Sequence, residues 1–208
     1  MLLSSQGEYY KSILAVFLSA LLDGMDGRVA RFFNSQSSFG EQYDSLADLV
    51  AFGLAPSLIV YNFSLHSLDR AGLACAFIFT ACAAFRLARF NVQIGEVDKS
   101  HFVGLPSPLA AILVVSLVIV LTEYKDTVYV YQSYIAVILA IWVLLCGLLM
   151  ISNRKYYSFK ELDTNQMPLI LLMISTFFVV SYTYSIALGI CIMGIIYIFS
   201  GILIKPKT

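Results

Sequence analysis

The uncharged stretch at residues 127–153 reads TVYVYQSYIAVILAIWVLLCGLLMISN, and it decides the class of fold. A helix of about 20 apolar residues crosses a bilayer, so this stretch is long enough to span one. The whole 208-residue chain has the same character, since 60% of its residues are hydrophobic and 12% are charged, with a mean hydropathy of +0.84. Soluble proteins carry about 25% charged residues. The sequence therefore predicts an integral membrane protein.

Other charge-poor stretches are also long enough to span the membrane. The longest, residues 164–204, allows two crossings, with a polar break at Ser181, Thr183 and Ser185 that suits a tight reversal. The stretches that complete the set are 12–33, 49–68, 71–92 and 100–122. They lack the period-2 alternation of outer-membrane barrel strands. We therefore expect an all-α fold, a polytopic bundle of about seven transmembrane helices of this length.

The basic residues orient this bundle. Seven crossings put ten of the 13 basic residues on one side of the membrane. These ten are Arg28, Arg31, Arg86, Arg89, Lys99, Arg154, Lys155, Lys160, Lys205 and Lys207, and the other three are Lys11, Arg70 and Lys125. Because cytoplasmic loops are rich in Lys and Arg, we expect the richer side and the C-terminus to be cytoplasmic.

The first 11 residues, MLLSSQGEYYK, would then lie outside. They lack the pattern of a cleavable signal peptide and are typical of a loop. We expect that a helix preceding them is missing, by truncation or by choice of start codon. The alternative is a chain that begins there with its short tail translocated.

Four aspartates stand out in the largely apolar stretch DGMDGRVARFFNSQSSFGEQYDSLAD, residues 23–48. Asp23 and Asp26 are three residues apart and Asp44 and Asp48 four apart, so each pair shares a helical face. One Asp at a bilayer centre costs roughly 2.5 to 3.5 kcal/mol. Converging carboxylates must take up protons or bind cations, and such oxygen ligands suit Mg²⁺ or Mn²⁺ better than zinc.

Small and basic residues accompany these acids. Gly27 and Ala30 fall on the face of the first acid pair, and Arg31 follows them, which together indicate a phosphate ligand. Gly40 lies where the chain would turn between two helices, beside the hydroxyl of Ser37. The alternative is a structural ion-pair patch between the first acid pair and its neighbouring arginines.

Eight residues fit the pattern D-x2-D-G-x2-A-R-x8-G-x3-D-x3-D without a departure. They are Asp23, Asp26, Gly27, Ala30, Arg31, Gly40, Asp44 and Asp48. This pattern resembles the signature of the CDP-alcohol phosphotransferases. The resemblance implies that the acids hold two divalent cations on the pyrophosphate of a CDP-linked lipid or alcohol, and that a second alcohol then displaces CMP.

Three runs of sequence indicate the acceptor alcohol. EQYDSLADLVAFGLAPSLIVY at 41–61, RLARFN at 86–91 and GLPSPLAA at 104–111 resemble the bacterial and archaeal membrane enzymes that transfer a phosphatidyl group from CDP-diacylglycerol to L-serine. The similarity covers about residues 12–115. We therefore expect a single membrane domain, 1–208, with a catalytic core at 12–115 and C-terminal transmembrane helices at 116–208. The family normally has one more helix before the signature.

The resemblance also implies a role for each acid. Asp23 and Asp44 would bridge both metals, Asp26 would complete one and Asp48 the other. Asp48 is the expected general base for the attacking hydroxyl. Contacts to the CDP moiety are expected from the segment between the acid pairs. They are carried over to Gly27, Ala30, Arg31, Ser37 and Gly40, although Ser37 could equally be a solvated turn residue.

Arg86 and Arg89 are three residues apart, and Asn91 follows them. Because a guanidinium binds a carboxylate through two hydrogen bonds, these residues are our prediction for the serine pocket, with a contribution from Ser107. The guanidinium groups could instead bind the lipid phosphate. They could also be membrane anchors at a cytoplasmic helix end.

The predicted function is thus phosphatidyl transfer to serine at the cytoplasmic face of a membrane. We expect this membrane to be the plasma membrane of a prokaryote. The family implies a homodimer, and we expect no nucleic-acid partner. Two alternatives remain open. One is another acceptor, such as glycerol 3-phosphate or an inositol phosphate. The other is a cation transporter whose intramembrane acids mark an ion path.

Overall fold

The computed structural model describes residues 1–32, 37–93, 101–123, 131–157 and 167–203. Helices α1 to α9 in these ranges are Leu2–Ser5, Tyr9–Phe32, Ser38–Asp48, Ala55–Phe63, Asp69–Gln93, Ser107–Glu123, Gln132–Ile151, Met167–Thr183 and Ile186–Leu203. A π-helical segment, Leu49–Leu54, joins α3 to α4, and a 3₁₀ turn, Leu65–Leu68, precedes α5. The expected all-α fold is confirmed.

Seven long helical stretches in the described ranges match the seven predicted crossings: α2, the continuous α3–π–α4 helix, and α5 to α9. Among the described residues, three helical stretches are long and apolar enough to cross a membrane: Gln42–Phe63, Leu65–Val92 and Tyr134–Ile151. The predicted reversal near Ser181 is present, since α8 ends at Thr183 and α9 begins at Ile186. There the Ser185 hydroxyl accepts a hydrogen bond from Leu188 N at 3.2 Å.

Two predicted boundaries were wrong. The crossing predicted at 49–68 begins earlier, because α3 continues through the π segment into α4. The crossing predicted at 100–122 begins at Ser107, because the preceding residues form strand β1, His101–Val103. This strand pairs antiparallel with β2, Lys155–Tyr157, with His101 opposite Tyr157 and Val103 opposite Lys155.

Helix α6 lies at the centre of the bundle. Ala110, Leu113, Val114 and Val118 have no exposed surface, as expected for a helix that is apolar on every side. The outer helices instead expose large apolar side chains, and Phe77 of α5 is 71% exposed. In a membrane such side chains face lipid.

The π segment sets the orientation of α3 relative to α4. Its Gly53 allows a close approach of α5, since a Cβ at this position would lie 3.1 Å from the Ala83 Cβ. The Thr80 hydroxyl lies 3.4 Å from the Gly53 carbonyl and 3.0 Å from the Ser57 hydroxyl. One widened turn therefore rotates the face of α3 relative to α4, as π-bulges do next to many functional sites.

Hydrogen bonds hold the two ends of the bundle differently. At one end, the Tyr9 hydroxyl donates to Asn62 O at 3.0 Å and Asn62 Nδ2 donates to Ser4 Oγ at 2.9 Å. At the other end, Gly104 N donates to Arg154 O at 2.8 Å and Leu105 N donates to Leu149 O at 3.0 Å. The segment between β1 and α6 thus lies against the C-terminal end of α7.

Gly104 permits this contact. Its φ is +81°, and a Cβ at this position would lie 2.2 Å from the Met150 carbonyl oxygen and 2.7 Å from Arg89 Nη2. Both the backbone conformation and the available space therefore require glycine.

We predict that Gly104→Ala lowers the free energy of unfolding by about 2 kcal/mol, because the methyl group adds a left-handed backbone penalty to a clash. Denaturant titration in detergent micelles measures this. Gly147→Ala, inside α7, is the matched control, since its Cβ would make ordinary contacts at 3.5 Å with Cys82 Sγ and Phe79 Cα of α5. An equal loss in both variants would contradict the prediction.

Candidate active site

Three of the four predicted metal ligands come together at one end of the bundle. Asp23 projects from α2, whereas Asp44 and Asp48 project from the last two turns of α3. One carboxylate oxygen from each lies within 4.8 Å of the other two. Asp23 and Asp48 are half-buried and Asp44 is exposed. Asp23 thus joins one cluster of oxygen donors with two acids that lie 21 and 25 positions later in the chain, because two helices meet there.

The cluster fits a divalent cation. Carboxylates that converge in this way repel one another unless a cation or protons lie between them. Oxygen donors that leave coordination positions open are the ligands of Mg²⁺ and Mn²⁺ in sites that also bind phosphate. The arrangement can therefore hold a divalent metal against a phosphorylated substrate.

The remaining predicted residues of α2 follow Asp23 along the same helix. Helix α2 extends to Phe32 and so includes the other members of the pattern up to Arg31. The side chains of Asp26, Ala30 and Arg31, and the surroundings of Gly27, lie outside the described part of the chain. Their roles stay predictions.

Ser37 is the N-cap of α3. Its hydroxyl accepts a hydrogen bond from Gly40 N at 3.0 Å, which satisfies one of the amide groups that a helix N-terminus leaves without a partner. A Cβ on Gly40 would lie 3.1 Å from that hydroxyl. Serine at the start of a helix is the signal that could have predicted the cap. The predicted contact of Ser37 with CDP is a separate role and stays a prediction.

Arg89 binds the C-terminal end of α7. Its Nη1 donates to Ile151 O at 3.1 Å and to Asn153 Oδ1 at 3.2 Å. Its Nη2 lies 2.9 Å from Val103 O, 3.3 Å from Met150 O and 3.4 Å from Ser152 O. Carbonyl groups at a helix C-terminus carry partial negative charge, which the guanidinium offsets. Both terminal nitrogens thus hold the end of α7, which gives Arg89 a structural role. The predicted contact of Arg89 with serine stays a prediction.

Arg86 lies one turn earlier on α5 and has different surroundings. Its Nη1 donates to Ser107 Oγ at 2.8 Å, and Ser107 is fully buried. Its Nε is also buried and has no hydrogen-bond partner in the described part of the chain. Asp48 is within electrostatic reach. The structure therefore brings Arg86 and Ser107 together beside the acid cluster.

Asn91 faces α3. Its Nδ2 donates to Ser45 Oγ at 3.0 Å, and the same hydroxyl lies 3.1 Å from Asn91 Oδ1. Nδ2 also lies 3.4 Å from Gln42 Oε1. The contacts of this side chain are thus with the helix that carries Asp44 and Asp48. The predicted contact of Asn91 with serine remains untested.

Sequence reasoning missed an aromatic pair near Arg86. Tyr197 of α9 is within electrostatic reach of Arg86 and stacks on Tyr156 of β2, with ring centroids 5.5 Å apart. Tyr156 is fully buried, and this burial raises the pKa of its phenol. The ring is close to Gly201, where a Cβ would lie 2.2 Å from it. Both tyrosines lie outside the predicted core, 12–115, and no local pattern identified them.

Known proteins are similar to this chain in sequence. The family model for CDP-alcohol phosphatidyltransferase matches residues 1–146. A Helicobacter pylori (strain ATCC 700392 / 26695) protein named CDP-diacylglycerol–serine O-phosphatidyltransferase is 41% identical over 172 residues, which are 79% of this chain and 69% of that protein. A Bacillus subtilis (strain 168) protein of the same name is 34% identical over 154 residues, 73% of this chain and 77% of its own.

An archaeal relative has the same name. This Methanocaldococcus jannaschii protein is 37% identical over 145 residues, 70% of this chain and 63% of its own. The matched residues 1–146 contain both acid pairs and Arg86. Together with the apolar bundle and its acid cluster, these matches establish that the chain is an integral membrane protein that belongs to the CDP-alcohol phosphatidyltransferase family.

Proposed function

We propose that this chain transfers the phosphatidyl group of CDP-diacylglycerol to the hydroxyl of L-serine and releases CMP. One observation carries the proposal: Asp23, Asp44 and Asp48 converge within 4.8 Å at the end of a membrane bundle, in a chain whose relatives are named for this reaction. Two divalent cations, Mg²⁺ or Mn²⁺, are the proposed cofactors.

The acids would divide the two cations between them. Asp23 and Asp44 would serve both cations, Asp26 would complete one set of ligands and Asp48 would complete the other. When bound, the cations supply Lewis-acid activation of the phosphoryl group and neutralise the charge on the leaving CMP. Gly27, Ala30, Arg31, Ser37 and Gly40 are the proposed contacts to the CDP moiety. The lipid chains of the donor would stay in the bilayer.

Asp48 is the proposed general base. The serine hydroxyl oxygen forms a bond to the phosphatidyl phosphorus while the bond from that phosphorus to the CMP oxygen breaks. The hydroxyl proton passes to the Asp48 carboxylate, and CMP leaves with the electron pair. The proton need be lost only as the new bond forms, so a weak base in contact with the hydroxyl is sufficient.

Arg86 is the proposed ligand of the serine carboxylate. It is close enough to Asp48 for electrostatic interaction, and its Nε is buried without a partner in the described ranges. The bond from Nη1 to the buried Ser107 hydroxyl fixes the plane of the guanidinium. A carboxylate bound there would hold its hydroxyl near Asp48. Arg89 is less suited, because carbonyl groups already occupy both of its terminal nitrogens.

We propose that the site faces the cytoplasm, with the C-terminus on the same side, and that the enzyme is a homodimer. The distribution of charge supports the orientation, because Arg86, Arg89 and Arg154 lie at the end of the bundle that carries the acids. Lys11 lies at the opposite end of the bundle, two residues after Tyr9, whose hydroxyl contacts Asn62 O.

We predict that purified protein with CDP-diacylglycerol and Mn²⁺ releases CMP when L-serine is added, and that a chelator abolishes this release. Glycerol 3-phosphate and inositol phosphate, tested in parallel, should give little CMP. Chromatographic detection of CMP and phosphatidylserine measures the reaction. Preference for a phosphorylated acceptor would assign another reaction within the family. Release with none of the acceptors would remove the proposal.

We predict that Asp48→Asn lowers the rate of CMP release by about 100-fold or more, because the amide cannot take the proton from serine. Single-turnover assays at saturating Mn²⁺ measure the chemical step. Asp69→Asn, the same change at the start of α5, is the matched control and should leave the rate unchanged. Unchanged turnover in Asp48→Asn would exclude this carboxylate as the base.

We predict that Arg86→Ala raises the KM for serine by about tenfold or more and changes the KM for CDP-diacylglycerol much less, because a charge-assisted hydrogen bond is lost only to serine. Steady-state assays with each substrate varied in turn measure the difference. Arg89→Ala should reduce stability without this selective change in KM. An equal rise of both KM values in Arg86→Ala would assign Arg86 to the lipid phosphate or to anchoring.

A further inference from the structure

The contact between Asn91 and Ser45 joins α5 to α3 beside the acid cluster. The Ser45 hydroxyl oxygen lies 3.0 Å from Asn91 Nδ2 and 3.1 Å from Asn91 Oδ1, so both polar atoms of the carboxamide contact it. Ser45 directly follows Asp44 and precedes Asp48 by three residues. A displacement of Ser45 therefore displaces both acids of α3.

Apolar packing does little to fix the position of α3. Its large apolar side chains Phe39, Tyr43 and Leu46 are 78%, 64% and 63% exposed. The C-terminal end of α3 continues into the π segment, and its N-terminus is capped by Ser37. The position of the acid-bearing turns thus depends strongly on polar contacts, and Asn91 provides one with defined direction.

The Asn91 side chain has little hydrogen-bonding capacity left for a substrate. A carboxamide NH₂ has two hydrogens, and Asn91 Nδ2 lies within hydrogen-bond distance of Ser45 Oγ and Gln42 Oε1. Its oxygen lies 3.1 Å from the Ser45 hydroxyl. These contacts favour a role for Asn91 in holding α3 rather than in binding the acceptor alcohol directly.

We propose that Asn91 is a positioning residue for the divalent metal site, holding α3 so that Asp44 and Asp48 reach Asp23. The inference rests on the metal binding in the proposed function and goes beyond it, because it assigns metal affinity to a residue that touches no metal. Outer contacts that orient metal ligands commonly change affinity by about 10- to 100-fold when they are removed.

The test is Mn²⁺ binding without any substrate, measured from the electron paramagnetic resonance signal of free Mn²⁺ over detergent-solubilised protein. We predict that Asn91→Ala weakens Mn²⁺ binding by about tenfold, and that Ser45→Ala does the same. The double variant should be much less weakened than the product of the two single effects, because both changes remove the shared contact between Asn91 and Ser45. Ser45→Thr keeps the hydroxyl and should bind Mn²⁺ normally.

Asn62→Ala is the matched control. Asn62 also ties two helices by a side-chain hydrogen bond, from Nδ2 to Ser4 Oγ at 2.9 Å, but at the opposite end of the bundle. Its loss should leave Mn²⁺ affinity unchanged. If Asn62→Ala weakens binding as much as Asn91→Ala does, general loosening of the bundle explains the effect and the proposal is overturned.

The outcomes separate this inference from the proposed function. If the wild-type chain binds no Mn²⁺, the proposed metal site fails. If it binds Mn²⁺ and Asn91→Ala binds it equally well, only the positioning role fails. A rise in the serine KM of Asn91→Ala with unchanged Mn²⁺ affinity would assign Asn91 to the acceptor pocket instead. Should Asn91→Ala fail to fold, the smaller change Ser45→Ala decides by the same criteria.

Discussion

Three carboxylates of like charge have to be held together at the end of an apolar bundle, and much of the surrounding structure serves this requirement. Asp23 comes from one helix, and Asp44 and Asp48 come from another. Neither helix alone carries all three carboxylates, so the cluster forms only where α2 and α3 meet. The repulsion that disfavours this arrangement also gives it affinity for divalent cations, because bound cations remove the repulsion.

The helix that carries the second acid pair is controlled at several points. The Ser37 cap defines where α3 begins, and the π segment sets its rotation relative to α4. The Asn91 carboxamide of α5 holds one face of α3 through its hydrogen bond to Ser45. The close approach of α5 at Gly53 then places Arg86 beside Asp48. The proposed serine contact on α5 and two of the proposed metal ligands on α3 therefore lie on neighbouring helices, and a change in the packing of one helix affects the other.

Sequence was sufficient for the features that depend on local pattern. The length of the charge-poor stretches predicted the seven long helices in the described ranges, and the four-residue spacing of Asp44 and Asp48 predicted that both would lie on one helical face. It was insufficient where a partner is distant in the chain. Two arginines at one helix end look equivalent in sequence, but Arg89 meets carbonyl groups about 60 residues away and Arg86 meets Ser107. Likewise, the start of α6 depends on the contact of Gly104 with α7, which no local pattern contains.

The binding of Arg89 to the end of α7 has a consequence for biogenesis. Membrane proteins are made and inserted from the N-terminus, so α5 enters the bilayer before its partner exists. The metal ligands, Arg86 and Ser107 are all synthesised by residue 107, but Met150 and Ile151, which receive the Arg89 guanidinium, come more than 40 residues later. Until α7 is inserted, the segment around Gly104 lacks the α7 backbone that its Leu105 amide contacts. A nascent chain that already contains every acid of the cluster thus still lacks the α7 carbonyl groups that hold Arg89.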